Sequence, residues 1–233
     1  MIICIETATN LCSVALCDSS GIISVKESND QRSHASMLTV FIGELLRENS
    51  VESSDLDAVA VSKGPGSYTG LRIGVSVAKG MAFAASIPLI GIETTLSMFM
   101  GMKDRILNGA GADKDLIFCP MLDARRMEVY SALYSSSGEK IKDISAEIIT
   151  EDSFRSIPES KKIILFGDGA AKCKNIIRRQ NILFIDDFTM SSSFMHIPAF
   201  HAFKMKHFED VAYFEPFYLK DFITTAQRKN ILL

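Results

Sequence analysis

The chain has 233 residues, 47% of them hydrophobic and 23% charged, with a net charge of −3; this is enough apolar material for a sizeable core and argues against disorder. Its basic residues gather only in pairs such as Arg125-Arg126 and Arg178-Arg179, so tight binding to nucleic acid by the chain alone, which needs a concentrated basic surface to displace counterions, is disfavoured. The start runs straight into Ile2-Ile3-Cys4-Ile5 and no apolar run approaches the length of a membrane span, so a cytoplasmic location with no membrane contact is expected.

In chain order, residues 2–6, 12–18 and 21–27 read as short strands separated by turn residues, an antiparallel meander. A helix follows over about 33–48, then a strand over 57–62, a glycine-rich loop and a helix running to about 85, a strand over 88–92 and a helix over about 94–107. The polar stretch 108–114 reads as a connector. Strands are then expected near 116–122, 127–135 and 140–149, a short helix at 151–156, a strand at 162–166, a helix at 169–180, a strand at 182–185 and a helix at 193–208. Each half therefore reads βββαβαβα. Three meandering strands extended by crossovers make a mixed sheet with helices on its faces, and the repeat implies an α/β protein of two similar lobes, 1–107 and 108–233, with a cleft between them. The last segment is a candidate to pack back on the first lobe.

The junction Gly64-Pro65-Gly66-Ser67-Tyr68-Thr69-Gly70-Leu71-Arg72-Ile73-Gly74 is the densest signal. Glycine and proline make a tight strand-to-helix turn, Ser67 or Thr69 is placed to cap the helix, and such a turn can offer backbone N–H groups to an anion. The phosphate-loop pattern is not met, because Leu71 and Arg72 stand where Lys and Ser/Thr are required. Candidate nucleotide or cleft residues are Glu6 and Thr7 at the end of the first strand, Gly64, Gly66, Ser67 and Thr69 in the loop, Arg125 in the charged bend Asp123–Tyr130, and Gly167 and Gly169 around Asp168. Each also has a plainer use in turning, capping or pairing the chain.

Metal and nucleophile chemistry finds little support. None of His34, His196, His201 and His207 pairs at a spacing of three or four residues, the spacing that would set two ligands on one helix face. The five cysteines, Cys4, Cys12, Cys17, Cys119 and Cys173, form no CxxC pair and read as small buried hydrophobes. No cofactor and no metal are expected.

The helix after the glycine loop is apolar on two sides. Ile73, Val77, Gly80, Met81 and Ala84 share one face, Leu71, Val75, Ala78 and Ala82 lie nearly opposite, and Arg72, Ser76 and Lys79 form a polar strip. Gly70, Gly74, Ala78 and Ala82 recur every four residues, which permits close approach of another helix. On the preceding helix Met37 and Val40 lie off the main apolar face, near Glu44. Both helices are either sandwiched inside one lobe or carry a protein–protein interface.

Taken together, Ile5-Glu6-Thr7-Ala8-Thr9, the glycine loop, the bend Asp123-Ala124-Arg125-Arg126-Met127-Glu128-Val129-Tyr130 and Pro216-Phe217-Tyr218-Leu219-Lys220 resemble the TsaB (YeaZ) family along nearly the whole chain. The resemblance implies the duplicated actin-like ATPase fold, related to ribonuclease H. It also implies a noncatalytic subunit of the bacterial complex that places a threonylcarbamoyl group, taken from threonylcarbamoyl-adenylate, on the adenosine beside the anticodon of certain tRNAs. The implied partners are the catalytic paralogue TsaD and the ATPase TsaE, with a homodimer formed in isolation and tRNA met only through the complex. The metal-binding HxxxH pair of the paralogue has no counterpart, because Leu38 stands four residues after His34; this counts against the metallopeptidase suggested by the older name glycoprotease. A small actin-like ATPase or kinase is the other alternative. Pairing in the family uses the first lobe's helices, and the surface expected here is Met37, Val40 and Glu44 with Leu71, Gly74, Val75, Ala78 and Ala82. On that expectation Ala78→Arg blocks pairing while the monomer stays folded.

Overall fold

The structure, a computed structural model, describes residues 1–29, 34–107 and 113–220; most of the expected connector 108–114 lies outside them. The first sheet is built from β1 (Ile2–Glu6), β2 (Cys12–Asp18), β3 (Gly21–Ser28), β4 (Ala58–Gly64) and β5 (Leu89–Glu93). The meander β1–β2–β3 is antiparallel and β4 and β5 add in parallel, giving the order β3-β2-β1-β4-β5. The second sheet, from β6 (Leu116–Asp123), β7 (Glu128–Ser135), β8 (Lys140–Ile148), β9 (Lys162–Phe166) and β10 (Ile182–Ile185), repeats the order as β8-β7-β6-β9-β10. This is the duplicated actin-like, ribonuclease H-like arrangement of two mixed sheets.

Strand β1 is buried on both faces, as a central strand flanked by helices must be. Ile3 and Ile5 face α1 (His34–Glu48) and α2 (Tyr68–Ala85), in a core with Leu38, Leu45, Val75, Ala78 and Ala82. Ile2 and Cys4 face the other way, against Met195 and Ala199. Helix α3 (Thr94–Leu107) lies between the lobes: Met98, Phe99 and Met102 enter the core of the second sheet with Phe118 and Tyr134. The five cysteines are buried free thiols, as expected.

The second repeat departs from the expected helices. Residues 151–156 form turns, and 169–180 contains only a short 3-10 turn at Ala171–Cys173. The guanidinium of Arg179 donates to the carbonyls of Phe154 and Ile157, which holds the end of that segment away from a regular helix. The helix expected at 193–208 is shorter, α4 (His196–Lys204), and packs on the first sheet rather than the second. Beyond it the chain runs back along the first lobe. Glu209 N–H donates to the Leu89 carbonyl (2.8 Å), Phe217 N–H to that of Lys63 (2.6 Å), and Phe214 is buried in the first lobe's core. This strap over 208–220 is fastened to α2 by Lys79 Nζ, which donates to the carbonyls of Ala212 (3.1 Å) and Phe214 (2.9 Å).

Candidate functional site

The glycine loop caps its helix as its sequence requires: Ser67 Oγ accepts from Gly70 N–H at 3.2 Å. Its glycines, however, serve contacts within the chain. A Cβ on Gly66 would collide with the Ala8 carbonyl, one on Gly70 with the Thr7 carbonyl, and one on Gly74 with Thr7 Oγ1; at Gly64 it would stand 2.7 Å from the Phe217 carbonyl oxygen. Thr7 Oγ1 also donates to the Gly70 carbonyl at 2.8 Å. The loop is therefore closed over the β1–β2 turn on one side and the strap on the other. Glu6, Thr7 and Gly64, expected in an open nucleotide cleft, are buried, and Gly66 is packed against Ala8. Ser67 and Thr69 alone of the loop's candidates are exposed.

Glu6 sits at the end of β1 with no exposed surface. Its Oε1 accepts from Ala8 N–H (2.6 Å) and Ser62 Oγ (3.0 Å). Burial pushes its carboxyl up to about 7, against the opposing pull of those donors.

A separate cavity of about 170 Å³ opens between the lobes, where Thr9, Asn10 and Leu11 meet Met98, Gly167, Asp168 and the stretch Phe188–Met190. Of the candidates only Gly167 lines it. Gly169 is spent on packing, since a Cβ there would lie 2.8 Å from the Leu122 carbonyl. Arg125 stands exposed on the β6–β7 bend at φ 68°, its N–H donating to Asp123 Oδ1 (2.9 Å). Asp168 accepts from Asp123 N–H at 3.0 Å, and desolvation raises its carboxyl even though part of the residue is exposed. Thr9 belongs to the motif that follows β1, but nothing in the sequence pointed to Asn10 or residues 188–190, because they converge only through the meeting of the lobes.

The expected interface is corrected by a rotation of α2. Leu71, Gly74, Val75, Ala78 and Ala82 are buried in the lobe's own core and present no surface; Ala78 is 0% exposed. The small residues let α2 close on β4 and the Thr7 turn, not on a foreign helix. Ala78→Arg would therefore disrupt the fold itself. Met37 and Glu44 are partly exposed and Val40 is 47% exposed, with Glu44 paired to Lys26 at 3.0 Å. Beside them lie the partly exposed Ile73, Val77 and Met81, the exposed Gly80 and Ala84, and, on the flank next to the strap, Phe83 at 81% exposure. The outer sides of α1 and α2 thus form an apolar seam. No group of three or more metal-ligating side chains occurs among the described residues.

A family model described as TsaD, tRNA N6-adenosine threonylcarbamoyltransferase, matches residues 22–221. The tRNA threonylcarbamoyladenosine biosynthesis protein TsaB of Escherichia coli K12 is 35% identical over 133 residues, 57% of this chain but only 54% of that protein, so the match spans about half its length. The protein of the same name from Buchnera aphidicola subsp. Schizaphis graminum is 31% identical over 189 residues, 78% of this chain and 83% of that one. The fold is that of the solved YeaZ from Pseudomonas aeruginosa, with a TM-score of 0.79 at 23% identity over 94% of this chain and 99% of the other. Duplicated sheets, glycine loop and sequence relatives agree, and the chain belongs to the TsaB (YeaZ) family.

Proposed function

We propose that this chain acts in the biosynthesis of tRNA threonylcarbamoyladenosine as a noncatalytic subunit that binds and activates a TsaD-type transferase, together with a TsaE-type ATPase. The observation that carries this is the apolar seam on the outer sides of α1 and α2, where Val40 is open to solvent and Ile73, Val77 and Met81 stay partly exposed. The closed glycine loop supports it, since the backbone groups that would greet a phosphate are packed against the chain's own Thr7 and Ala8. A partner of like fold can lay its own helix pair on the seam, and a second copy can do so isologously, so we propose that the chain also forms a homodimer in isolation. Activation follows if the seam binds one arrangement of the partner's lobes better than another.

Gly80 is the place to test it. It is exposed at the middle of the seam and a Cβ there meets nothing within 4 Å, so Gly80→Arg leaves the monomer folded while setting a charge in the contact. The expected result is loss of co-purification with the organism's own TsaD and loss of threonylcarbamoyl transfer in the reconstituted system. Unchanged pairing and transfer by a folded Gly80→Arg protein would refute the seam as the contact.

A further inference from the structure

The bend between β6 and β7 holds two arginines in a conformation that arginine does not favour. Arg125 has φ 68° and Arg126 φ 51°, successive left-handed residues where a hairpin ordinarily places Asn or Gly. Strain of this kind persists where a use for it outweighs its cost. Within the chain the two side chains do nothing to offset it: both are exposed, and among the described residues neither guanidinium has a hydrogen bond or an ion pair. The polar contacts of these two residues are made by backbone, Arg125 N–H donating to Asp123 Oδ1 (2.9 Å) and the Arg125 carbonyl accepting from Glu128 N–H (3.2 Å). The carboxylates of the bend are engaged by lysines, Asp123 by Lys172 and Glu128 by Lys220.

A third arginine is joined to this bend by the end of the strap. Lys220 Nζ, besides meeting Glu128, lies 5.9 Å from the centre of the Tyr130 ring on β7, so the strap's end is seated on the same hairpin. Two residues earlier, at most about 7 Å along the chain, Tyr218 Oη accepts from Arg72 Nε at 3.3 Å, and the Tyr218 ring lies 5.1 Å from that of Tyr68. Arg72 is itself stacked over Tyr68, 4.1 Å from the ring centre. It is exposed, and among the described residues no carboxylate stands within ion-pair distance of it; Glu215 acts on it only from farther off. The two rings thus fix the direction of the guanidinium without neutralising it. A strip runs from α2 across the strap's end to the β6–β7 bend, bridging the lobes, with Arg72, Arg125 and Arg126 unneutralised and the rings of Tyr68, Tyr218 and Tyr130 between them.

Guanidinium groups meet phosphate oxygens with two parallel N–H donors, and open aromatic rings stack with bases. An acidic peptide would answer the charges but make no use of the rings. We propose that this strip is an RNA-contacting surface, in which Arg72, Arg125 and Arg126 take phosphates of a tRNA and the exposed Tyr218 ring receives an unpaired base. That the RNA is tRNA rests on the function proposed above; the strip itself rests on its own geometry. Three arginines are too few to hold an RNA unaided at physiological salt, and the chain's net charge is −3, so the strip adds to contacts made by a transferase partner.

The test is binding of a fluorescently labelled tRNA transcript, followed by anisotropy from about 50 to about 200 mM salt, by the full chain alone and with the organism's own TsaD present. The variants are Arg125→Gly combined with Arg126→Gly, and Arg72→Gln. Arg178→Ala is the control, an exposed arginine just before β10, at the opposite end of the second sheet from the bend. The parent is expected to bind weakly alone and more tightly with TsaD. The double variant should lower the affinity in both settings and flatten the plot of log affinity against log salt by about 2, and Arg72→Gln by about 1, while Arg178→Ala does neither. The double variant should also melt at a higher temperature than the parent, because glycine takes the left-handed angles without strain. Affinity and salt slope unchanged in the double variant, no binding by the parent in either setting, or a double variant that loses stability together with affinity would each overturn the proposal. So would lost co-purification with TsaD at unchanged tRNA affinity of the chain alone, which would assign the strip to protein. A parent that binds tRNA through these arginines but does not co-purify with TsaD would refute the proposed function and support the strip.

Discussion

Gly70 decides what the glycine loop is for. Two effects compete in Gly70→Ala. Relieving a helix of glycine gains about 1 kcal/mol at an interior position and less near the N-terminus. Against this, the new methyl would overlap the Thr7 carbonyl, a backbone atom that cannot swing aside, and forcing extra volume into a packed site costs about 1–3 kcal/mol. Relief by moving the β1–β2 turn would also strain the buried bond from Thr7 Oγ1 to the Gly70 carbonyl at 2.8 Å, putting about 1 kcal/mol more at risk. The net expectation is a loss of about 2–3 kcal/mol. Gly80, ten residues further along α2, is the internal control: it is exposed, and a Cβ there meets open space, so Gly80→Ala should gain up to about 1 kcal/mol. Urea melts of both variants, taken at two protein concentrations to separate folding from self-association, should therefore move in opposite directions. A Gly70→Ala protein as stable as the parent would refute the reasoning, because it would mean that the glycine was free to offer its backbone to a ligand rather than being held by Thr7.

Three more outcomes follow from the same packing. Glu6 is neutral in the native chain up to about pH 7 but from 4.5 upward loses its proton when unfolded; the native state thus holds the extra proton in that window, and stability should fall as pH rises through it, by at most about 3 kcal/mol. Glu6→Gln should remove that contribution, so denaturant melts of parent and variant at several pH values that run parallel would exclude it. Phe214→Ala empties a core position filled by the strap and should cost about 3 kcal/mol, with proteolysis of 208–220 becoming faster than elsewhere; a strap equally resistant in the variant would show that Phe214 does not anchor it. Ala78→Arg should give insoluble or unfolded protein, since the residue is 0% exposed and an unpaired charge there has no compensation; a folded, soluble Ala78→Arg chain would contradict the orientation of α2.

Much of the architecture was legible because it is written in local period and punctuation. The meander shows as short apolar runs broken at Asn10 and Gly21, and all ten strands fall close to their expected places, because alternation and turn residues act within a few positions. The second lobe's helices were misjudged for the opposite reason. Ala170, Cys173 and Ile177 recur at helical spacing and do enter one core, but Arg179, near the end of the segment, is tied to the carbonyls of Phe154 and Ile157 more than twenty residues away. Local period states which residues go inward; it does not state that the backbone between them is a regular helix.

The site was less legible because a helix with two apolar sides does not declare which one the fold will keep. Gly70, Gly74, Ala78 and Ala82 suit a close helix pair and a close helix–turn contact equally well, and the choice was made by Thr7 and Ala8, some sixty residues earlier. Once that side is taken, the larger residues Ile73, Val77 and Met81 are left at the seam, although larger apolar side chains are ordinarily the ones expected inside. The polar strip misleads in the same way. Arg72 and Lys79 read as a solvated edge, yet Lys79 holds two carbonyls of the strap, and Arg72 lies 4.1 Å from the centre of the Tyr68 ring while bonding Tyr218 at 3.3 Å. With the strap bound along that strip and the sheet behind, the outer seam is the side of α2 left open, so on the proposed pairing a charge at Gly80 and a charge at Ala78 should fail in different ways: the first by losing the partner, the second by losing the fold.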